Sequence, residues 1–459
     1  MSDSPTPPVG PPPPSPKKDT KFNAPAFLYQ QRRFLQSQHH FATDEAGRLY
    51  HYQNGCYHPK GEDFVERWLY NSAFRGDNAV HWRPGYASEV CTAIKLGSPT
   101  LWTKPPDDEI NVLNGILKWD GTKWELHPHN PLHWMSHIQL PIFYDPTATC
   151  PAWKAHAKAL LPDEDPDLLF KIAAFGLTPG GNAGQFAIIF LGEQGGEGKS
   201  VTLTMLAKLW GDDNIISRSP FDFQNNRFST HYLRGKLIWM CFDMPVRPFV
   251  ETDTFKQIIT QDRVQAEIKG GAHYEFYPFC KVIMAGNRMP SAAEGGHGFA
   301  RRWFPIMFYK SLPKSAHRPT HELAALYHSP QELSGALNEA LRWHPVLLQQ
   351  GLTTTPDYQT LINEMDIKFD PVDAWLDKVV EEVSFHEEGE VFKEGLYNEY
   401  KDWCITLQKV SPMSKEAFGK AIKKKFPLVR PGRSSSEGRP RSWVGIRRKN
   451  SVTKQSRKD

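Results

Sequence analysis

The protein has 459 residues, too many for one hydrophobic core and suited to two to four domains. Hydrophobic residues make up 39% and charged residues 23%, an ordinary globular composition, with no apolar run able to span a bilayer and no signal-peptide core. The expected place of action is therefore the cytoplasm in which the chain is made, with no membrane partner. The net charge of +4 is unevenly spread: residues 409–459 hold 16 Lys/Arg against three acids, +13, which leaves −9 for the remainder. A basic end on an acidic body points to an anionic partner, nucleic acid first, although the last ten residues read better as a solvated tail. Cys56, Cys91, Cys150, Cys241, Cys280 and Cys404 form no Cys-x-x-Cys pair, which argues against a zinc site.

In chain order, residues 1–21 are a Pro-rich, disordered leader. Residues 22–165 are aromatic- and turn-rich and predict a small mixed α/β domain. Its His39-His40 and His127-Pro-His129 read as surface histidines, since no cysteine or carboxylate stands at ligand spacing. Asp163, Asp165 and Asp167 precede an apolar stretch at 168–175 with helical character, so they read as helix-start acids rather than a polymerase metal site.

Residues 166–315 predict the catalytic core. An apolar run, 186–191, feeds a turn containing Gly195, Gly196, Glu197, Gly198, Lys199 and Ser200, and helical spacing follows through 201–210. Strand, glycine turn, Gly-Lys-Ser and helix form the arrangement that cradles a triphosphate. Backbone N–H groups and the helix N-terminus face the phosphates, Lys199 reaches them, and the Ser200 hydroxyl ligates Mg²⁺. The usual first glycine is displaced by one position, because Gly192 precedes Glu193. A glycine-rich hairpin that happens to contain Gly-Lys-Ser is the competing reading.

A second apolar run, 237–242, ends in Asp243, placed to serve Mg²⁺ or the attacking water, although Met244 stands where a second acid is common. Residues 264–279 predict a β-hairpin around Gly270-Gly271, with Lys269 and His273 flanking its tip. Those two side chains suit a sugar–phosphate backbone, while the glycines suit any turn. A third run, 281–286, ends in Asn287, an amide able to meet the γ-phosphate or its water. Arg301 and Arg302 then precede a further apolar run; one could stabilise the transferred phosphoryl group of a neighbouring subunit, and a surface role is the alternative.

Residues 316–370 are expected to form a helical connector. Residues 371–446 give three helical segments and then two strand-like pieces around a Ser/Gly/Arg-rich turn, a winged-helix pattern, before a basic tail at 447–459. Lys423, Lys424, Lys425, Arg439 and Arg441 are placed to contact phosphates, with a solvated charged face as the alternative.

Taken together, Lys199-Ser200, Asp243, the Lys269/His273 hairpin, Asn287 and the Arg301-Arg302 pair occur in the order of the superfamily 3 helicases. From about residue 22 to 446 the chain resembles the helicase part of phage, plasmid and poxvirus-type primase–helicases. The resemblance implies an α/β fold, a P-loop AAA+-like ATPase core with ATP and Mg²⁺ as cofactors, that assembles as a homo-oligomeric ring, usually hexameric, on single-stranded and forked DNA. It further implies that Asn287 is the sensor, that Arg301 or Arg302 reaches the adjacent subunit's ATP, and that Lys269 and His273 line the channel. No primase is fused, so a separate primase or polymerase is the expected partner. An oligomeric P-loop initiator or loading factor that binds DNA without unwinding it, and an ATPase acting on protein, are the competing functions.

Overall fold

The computed structural model describes residues 22–177, 179, 185–192, 196–226, 228–267, 273–292, 297–310, 318–352, 358–369, 371–383, 389–408, 412–433 and 440–449. Gly195, Lys269 and Arg439, the leader and the basic tail beyond 449 lie outside these residues.

The chain begins with α1 (Ala24–Gln38), whose first turn is capped by Asn23 accepting from the Ala26 N–H at 3.2 Å. An antiparallel meander follows, β1 (Phe41–Thr43), β2 (Leu49–Gln53) and β3 (Cys56–His58). The helices α2 (Gly61–Trp68) and α3 (Pro84–Gly97) close over it. Phe27, Leu28, Leu35, Val65, Trp68, Val90 and Ile94 form the core of this first unit. Within it His39 is half-buried against the His51 and Phe64 rings, and His129 bonds the Val112 carbonyl at 2.8 Å. Both are packing residues rather than the free surface histidines expected.

A second meander, β4 (Glu109–Val112), β5 (Gly115–Trp119) and β6 (Trp124–His127), leads through extended chain to α4 (Pro151–Leu160) and α5 (Leu168–Leu177). Ile110, Val112, Leu117, Trp153 and Leu160 share one continuous core with the central sheet. Apolar packing therefore runs straight across the boundary expected at residue 165.

The centre is a five-stranded, wholly parallel sheet: β7 (Ala187–Leu191), β8 (Ile215–Ser217), β9 (Ile238–Cys241), β12 (Lys281–Gly286) and β13 (Trp303–Met307), in the spatial order β13-β7-β12-β9-β8. Between β9 and β12 the chain makes an antiparallel hairpin of β10 (Val264–Glu267) and β11 (His273–Phe276). Alternate residues of β7 enter opposite cores, Ile188 and Phe190 on one side, Ala187, Ile189 and Leu191 on the other. Burial on both faces is why these strands read as unbroken apolar runs.

The first face is covered by α5, α6 (Lys199–Trp210) and α11 (Pro330–Gln350). The second is covered by α8 (Asp253–Thr260), the hairpin, and residues from α9 (His297–Ala300) and α12 (Tyr358–Phe369), with the short α7 (Asp222–Asn225) contributing Phe223. Gly335 lets α11 lie directly on the chain entering α4, since a Cβ there would meet the Thr149 backbone at 2.2 Å. The helix α10 (Thr320–Tyr327) precedes α11.

The C-terminal unit has its own core of Val372, Trp375, Leu376, Leu396, Tyr400, Phe418, Ile422 and Trp443. It is built from α13 (Pro371–Val379), β14 (Val380–Glu382), β15 (Glu390–Phe392), α14 (Lys393–Asp402), α15 (Lys415–Lys425), β16 (Arg430–Arg433), β17 (Arg441–Val444) and β18 (Ile446–Arg448). The strands pair antiparallel as β15-β17-β16 and β14-β18. Its three helices lie where helical segments were expected, and β14 and β15, which were not expected, stand between the first two of them.

Candidate active site

In an open parallel sheet the polar groups that can meet a ligand lie beyond the carboxyl ends of the strands. Three strands end that way here. β7 runs out at Gly192, and the chain re-enters at Gly196 to begin α6 at Lys199. Gly196 and Gly198 have φ of 78° and 82°, and a Cβ on Gly198 would lie 2.2 Å from Leu160, so only glycine fits that turn. Both glycines stand directly before the α6 N-terminus.

Asp243 follows β9 and Asn287 follows β12, each solvent-facing directly after a fully buried strand. The Met244 N–H donates to the Ala285 carbonyl at 2.8 Å, which keeps the two strand ends side by side. Gly196, Glu197, Gly198, Lys199, Ser200, Asp243 and Asn287 line one cavity of about 530 Å³, a volume suited to a nucleotide-sized ligand. All seven are residues that the sequence singled out, five from the glycine-rich loop and two, Asp243 and Asn287, from strand ends.

Lys199 is already engaged within this cavity. Its ammonium donates to the Gly192 carbonyl at 3.0 Å and pairs with the Glu197 carboxylate, which is 4% exposed. That carboxylate packs where a Gly192 Cβ would otherwise stand, at 2.4 Å. The displaced first glycine of the loop therefore makes room for Glu197.

The remaining walls come from segments the motif does not announce. His156 on α4, and Arg318, Leu323 and Tyr327 at or in α10, face the same space. The His156 Nε2 lies 2.8 Å from the Thr202 hydroxyl on α6, and its Nδ1 lies 3.3 Å from the Tyr327 hydroxyl. Burial pushes the His156 imidazole down to about 4, so it is neutral at physiological pH. No local signal marks these residues, because they lie far from the loop in sequence and reach it only through packing.

Arg301 and Arg302 are elsewhere. They precede β13, whose Trp303 pairs with Ala187, the first residue of β7, so they lie one strand length, about 16 Å, from the phosphate loop. Arg301 is exposed. Arg302 is half-buried, its guanidinium donating to the Gly298 carbonyl, and burial and then Arg301 lower its pKa. Neither reaches its own chain's cavity.

The two DNA-contact candidates behave differently from one another. On the hairpin, Glu267 pairs with His273, whose exposed Nδ1 stands 3.7 Å from the Glu267 carboxylate. In the C-terminal unit Lys423 and Lys424 are exposed on α15, whereas Lys425 is half-buried and pairs with Asp377 at 2.9 Å. Arg441 opens β17. Lys393, which the sequence did not single out, places its ammonium 3.9 Å from the Trp443 ring centre, and Lys423 stands 6.0 Å from the same ring. Burial, then Lys423 and Arg441, hold the Lys393 pKa down, the mark of cations gathered on one surface.

Two family models match parts of the chain. Residues 190–302 match a family of unknown function, DUF5906, and residues 372–450 match the RFX DNA-binding domain. No curated protein matches. Among solved structures, an apo form of the NrS-1 C-terminal region (305–718) has a TM-score of 0.57 at 13% identity, covering 93% of this chain and 100% of that one. The A form of the same apo region gives 0.55 at 13% identity, with 92% and 100% coverage. A further A-form structure gives 0.52 at 12% identity, with 91% and 98% coverage. The overall α/β fold, from the first meander to the C-terminal hairpin, is thus similar to that of the NrS-1 C-terminal region.

Proposed function

We propose that the protein is an ATP-driven DNA helicase of superfamily 3 type, with an AAA+-like core and a winged-helix C-terminal unit, serving replication of a phage, plasmid or mobile element. The observation that carries this reading is the convergence of Lys199, Asp243 and Asn287, from three separate strand ends, on one cavity at the α6 N-terminus. Likeness of fold to the NrS-1 C-terminal region and the match of residues 372–450 to a DNA-binding domain support it.

On this reading the N–H groups of the loop and the Lys199 ammonium bind the β- and γ-phosphates, Lys199 leaving Glu197 to do so. Ser200 and Asp243 offer a hydroxyl and a carboxylate at the cavity mouth, hard oxygen donors of the kind Mg²⁺ takes alongside phosphate oxygens. When bound, Mg²⁺ would neutralise charge on the phosphates. Asp243 orients the attacking water and accepts its proton, and Asn287 donates its amide to the γ-phosphate. The cavity lacks a guanidinium at its phosphate end from Arg301 or Arg302 of the same chain, which favours their supply by a neighbour in a ring, of hexameric size by the family resemblance. Arg318, in contrast, reaches the cavity from its own chain.

Lys269 and His273 would face single-stranded DNA in the channel, while Lys393, Lys423, Lys424, Arg439 and Arg441 would meet duplex phosphates. Lys425, paired with Asp377, contributes through the position of α15 instead. The second reading, a loader that binds DNA without unwinding it, is favoured by the Lys199–Glu197 pair and the lone Asp243, both of which would slow turnover. A strand-displacement assay on a tailed duplex separates them. ATP-dependent unwinding is expected; DNA binding with ATPase activity but no displaced strand would establish the loader.

A further inference from the structure

The β10–β11 hairpin is held at its base by polar contacts from two directions. The Thr230 hydroxyl donates to the Gln265 carbonyl on β10 at 2.7 Å. The Tyr274 hydroxyl on β11 meets the His231 Nδ1 at 2.6 Å, and the Arg234 guanidinium lies 5.2 Å from the Tyr274 ring centre. Residues 230–234 therefore bracket both strands.

That bracket is anchored on the first meander. Arg234, only 12% exposed, faces Asp44 at 3.7 Å and Glu45 at 4.0 Å. Asp44 is itself fixed: it accepts from the Ala46 and Arg48 backbones at 2.9 and 3.0 Å, from the Arg48 Nε at 2.7 Å and from the Tyr50 hydroxyl at 3.2 Å. The next residue after Arg234 is pinned as well, since the Gly235 carbonyl meets the half-buried His137 Nε2 at 2.7 Å. A cavity of about 140 Å³ lies beside these groups, bounded by Tyr50, Trp102, His137 and Phe276. The junction is thus a polar bridge beside open space, added to the apolar anchoring that Val264, Ala266 and Phe276 give the hairpin in the second core.

Successive strand residues point to opposite faces, so fixing Tyr274 fixes where the exposed His273 projects. Charges buried in this way add little net stability and act chiefly by specifying one arrangement. We infer that Asp44, Arg234 and Tyr274 are positioning residues: the first meander sets the height of the hairpin through Arg234, and so the presentation of His273 to single-stranded DNA. The inference rests on the reading of the hairpin as a DNA contact.

The test uses the full-length protein with Arg234→Met, which removes the guanidinium that meets both Asp44 and the Tyr274 ring, Asp44→Asn, and the double variant. Hydrogen exchange of the amides in residues 264–267 and 273–276 is measured without DNA. The oligothymidine concentration giving half-maximal ATPase stimulation is measured alongside basal turnover. Each single change is expected to speed exchange by about fivefold, the scale of one polar contact, and to raise the half-stimulating DNA concentration severalfold with basal turnover unchanged. The double variant should do no more than the stronger single one. Unchanged exchange, or strictly additive effects, would overturn the relay. Faster exchange with unaltered DNA response would overturn its role in presenting His273. If the unsubstituted protein shows no stimulation by DNA, the helicase reading fails on its own, and the claim about His273 falls with it, while exchange still decides the mechanical coupling.

Discussion

Lys199 and Glu197, two residues apart on the phosphate loop, are ion-paired inside the cavity that the loop would offer to a triphosphate. The phosphates and Glu197 are rival partners for one ammonium. Replacing Glu197 with Gln keeps the shape and removes the charge, so ATP should bind more tightly, by about five- to tenfold for roughly 1 kcal/mol of released competition. Equilibrium binding of a fluorescent ATP analogue checks this. Weaker binding by Glu197→Gln would mean that the carboxylate orders the loop rather than competing for Lys199.

Glu332 on α11 caps a different helix. Its carboxylate accepts from the Ala152 and Trp153 N–H groups at 3.1 and 3.2 Å, the first turn of α4, which carries His156 to the cavity. Glu332→Ala leaves two inward-facing N–H groups without an acceptor and should cost about 1–3 kcal/mol. Denaturant unfolding should show a lower midpoint, and the KM for ATP should rise as His156 and Thr202 lose register. An unaltered midpoint would mean that α4 is capped some other way.

Three buried histidines, His51, His156 and His344, and the half-buried His137 set a pH dependence. Burial lowers His51 to about 3 and His137, His156 and His344 to about 4, from 6.5 in an exposed chain. The unfolded chain therefore takes up protons first as pH falls below 6.5, and the folded state loses stability from there down to about 4. The thermal midpoint should fall by several degrees between pH 7 and pH 5, on the order of 1–2 kcal/mol per histidine. A midpoint that holds or rises over that interval would contradict the neutral, buried state of these rings.

Much of the core was legible because each central strand advertises itself locally. Residues 186–191, 237–242 and 282–285 are apolar without alternation, as strands buried on both faces must be, and the last two lead to the exposed Asp243 and Asn287. The hairpin was marked by its Gly-Gly turn. What the sequence hid is packing between distant segments. His156 precedes the loop and Tyr327 follows it by more than a hundred residues, and neither periodicity nor spacing says which helix will lie beside α6. Residues 110–161 look like a continuation of the aromatic first unit, yet their apolar side chains enter the sheet core. Lys393 is a single lysine at a helix start, and its place beside Lys423 and Arg441 exists only once Trp443 brings β17 and α15 together.

The separation of Arg302 from its own phosphate loop gives a mixing experiment. Subunits carrying Lys199→Ala and subunits carrying Arg302→Ala should each be inactive alone, and mixtures should recover partial ATPase activity, since some interfaces then pair an intact loop with an intact arginine. Arg301→Ala serves as the parallel case. Absence of rescue at every ratio for both arginines would remove the proposed contribution from a neighbour.

The account stands on Asn287 and Asp243 sharing one nucleotide with Lys199. The most direct measurement is steady-state ATP turnover beside equilibrium ATP binding for Asn287→Ala and Asp243→Asn. Loss of a transition-state contact predicts binding within a few-fold of the unsubstituted protein and turnover lower by about 10²-fold or more. Near-normal turnover in both variants would mean that these strand ends do not act on the bound triphosphate.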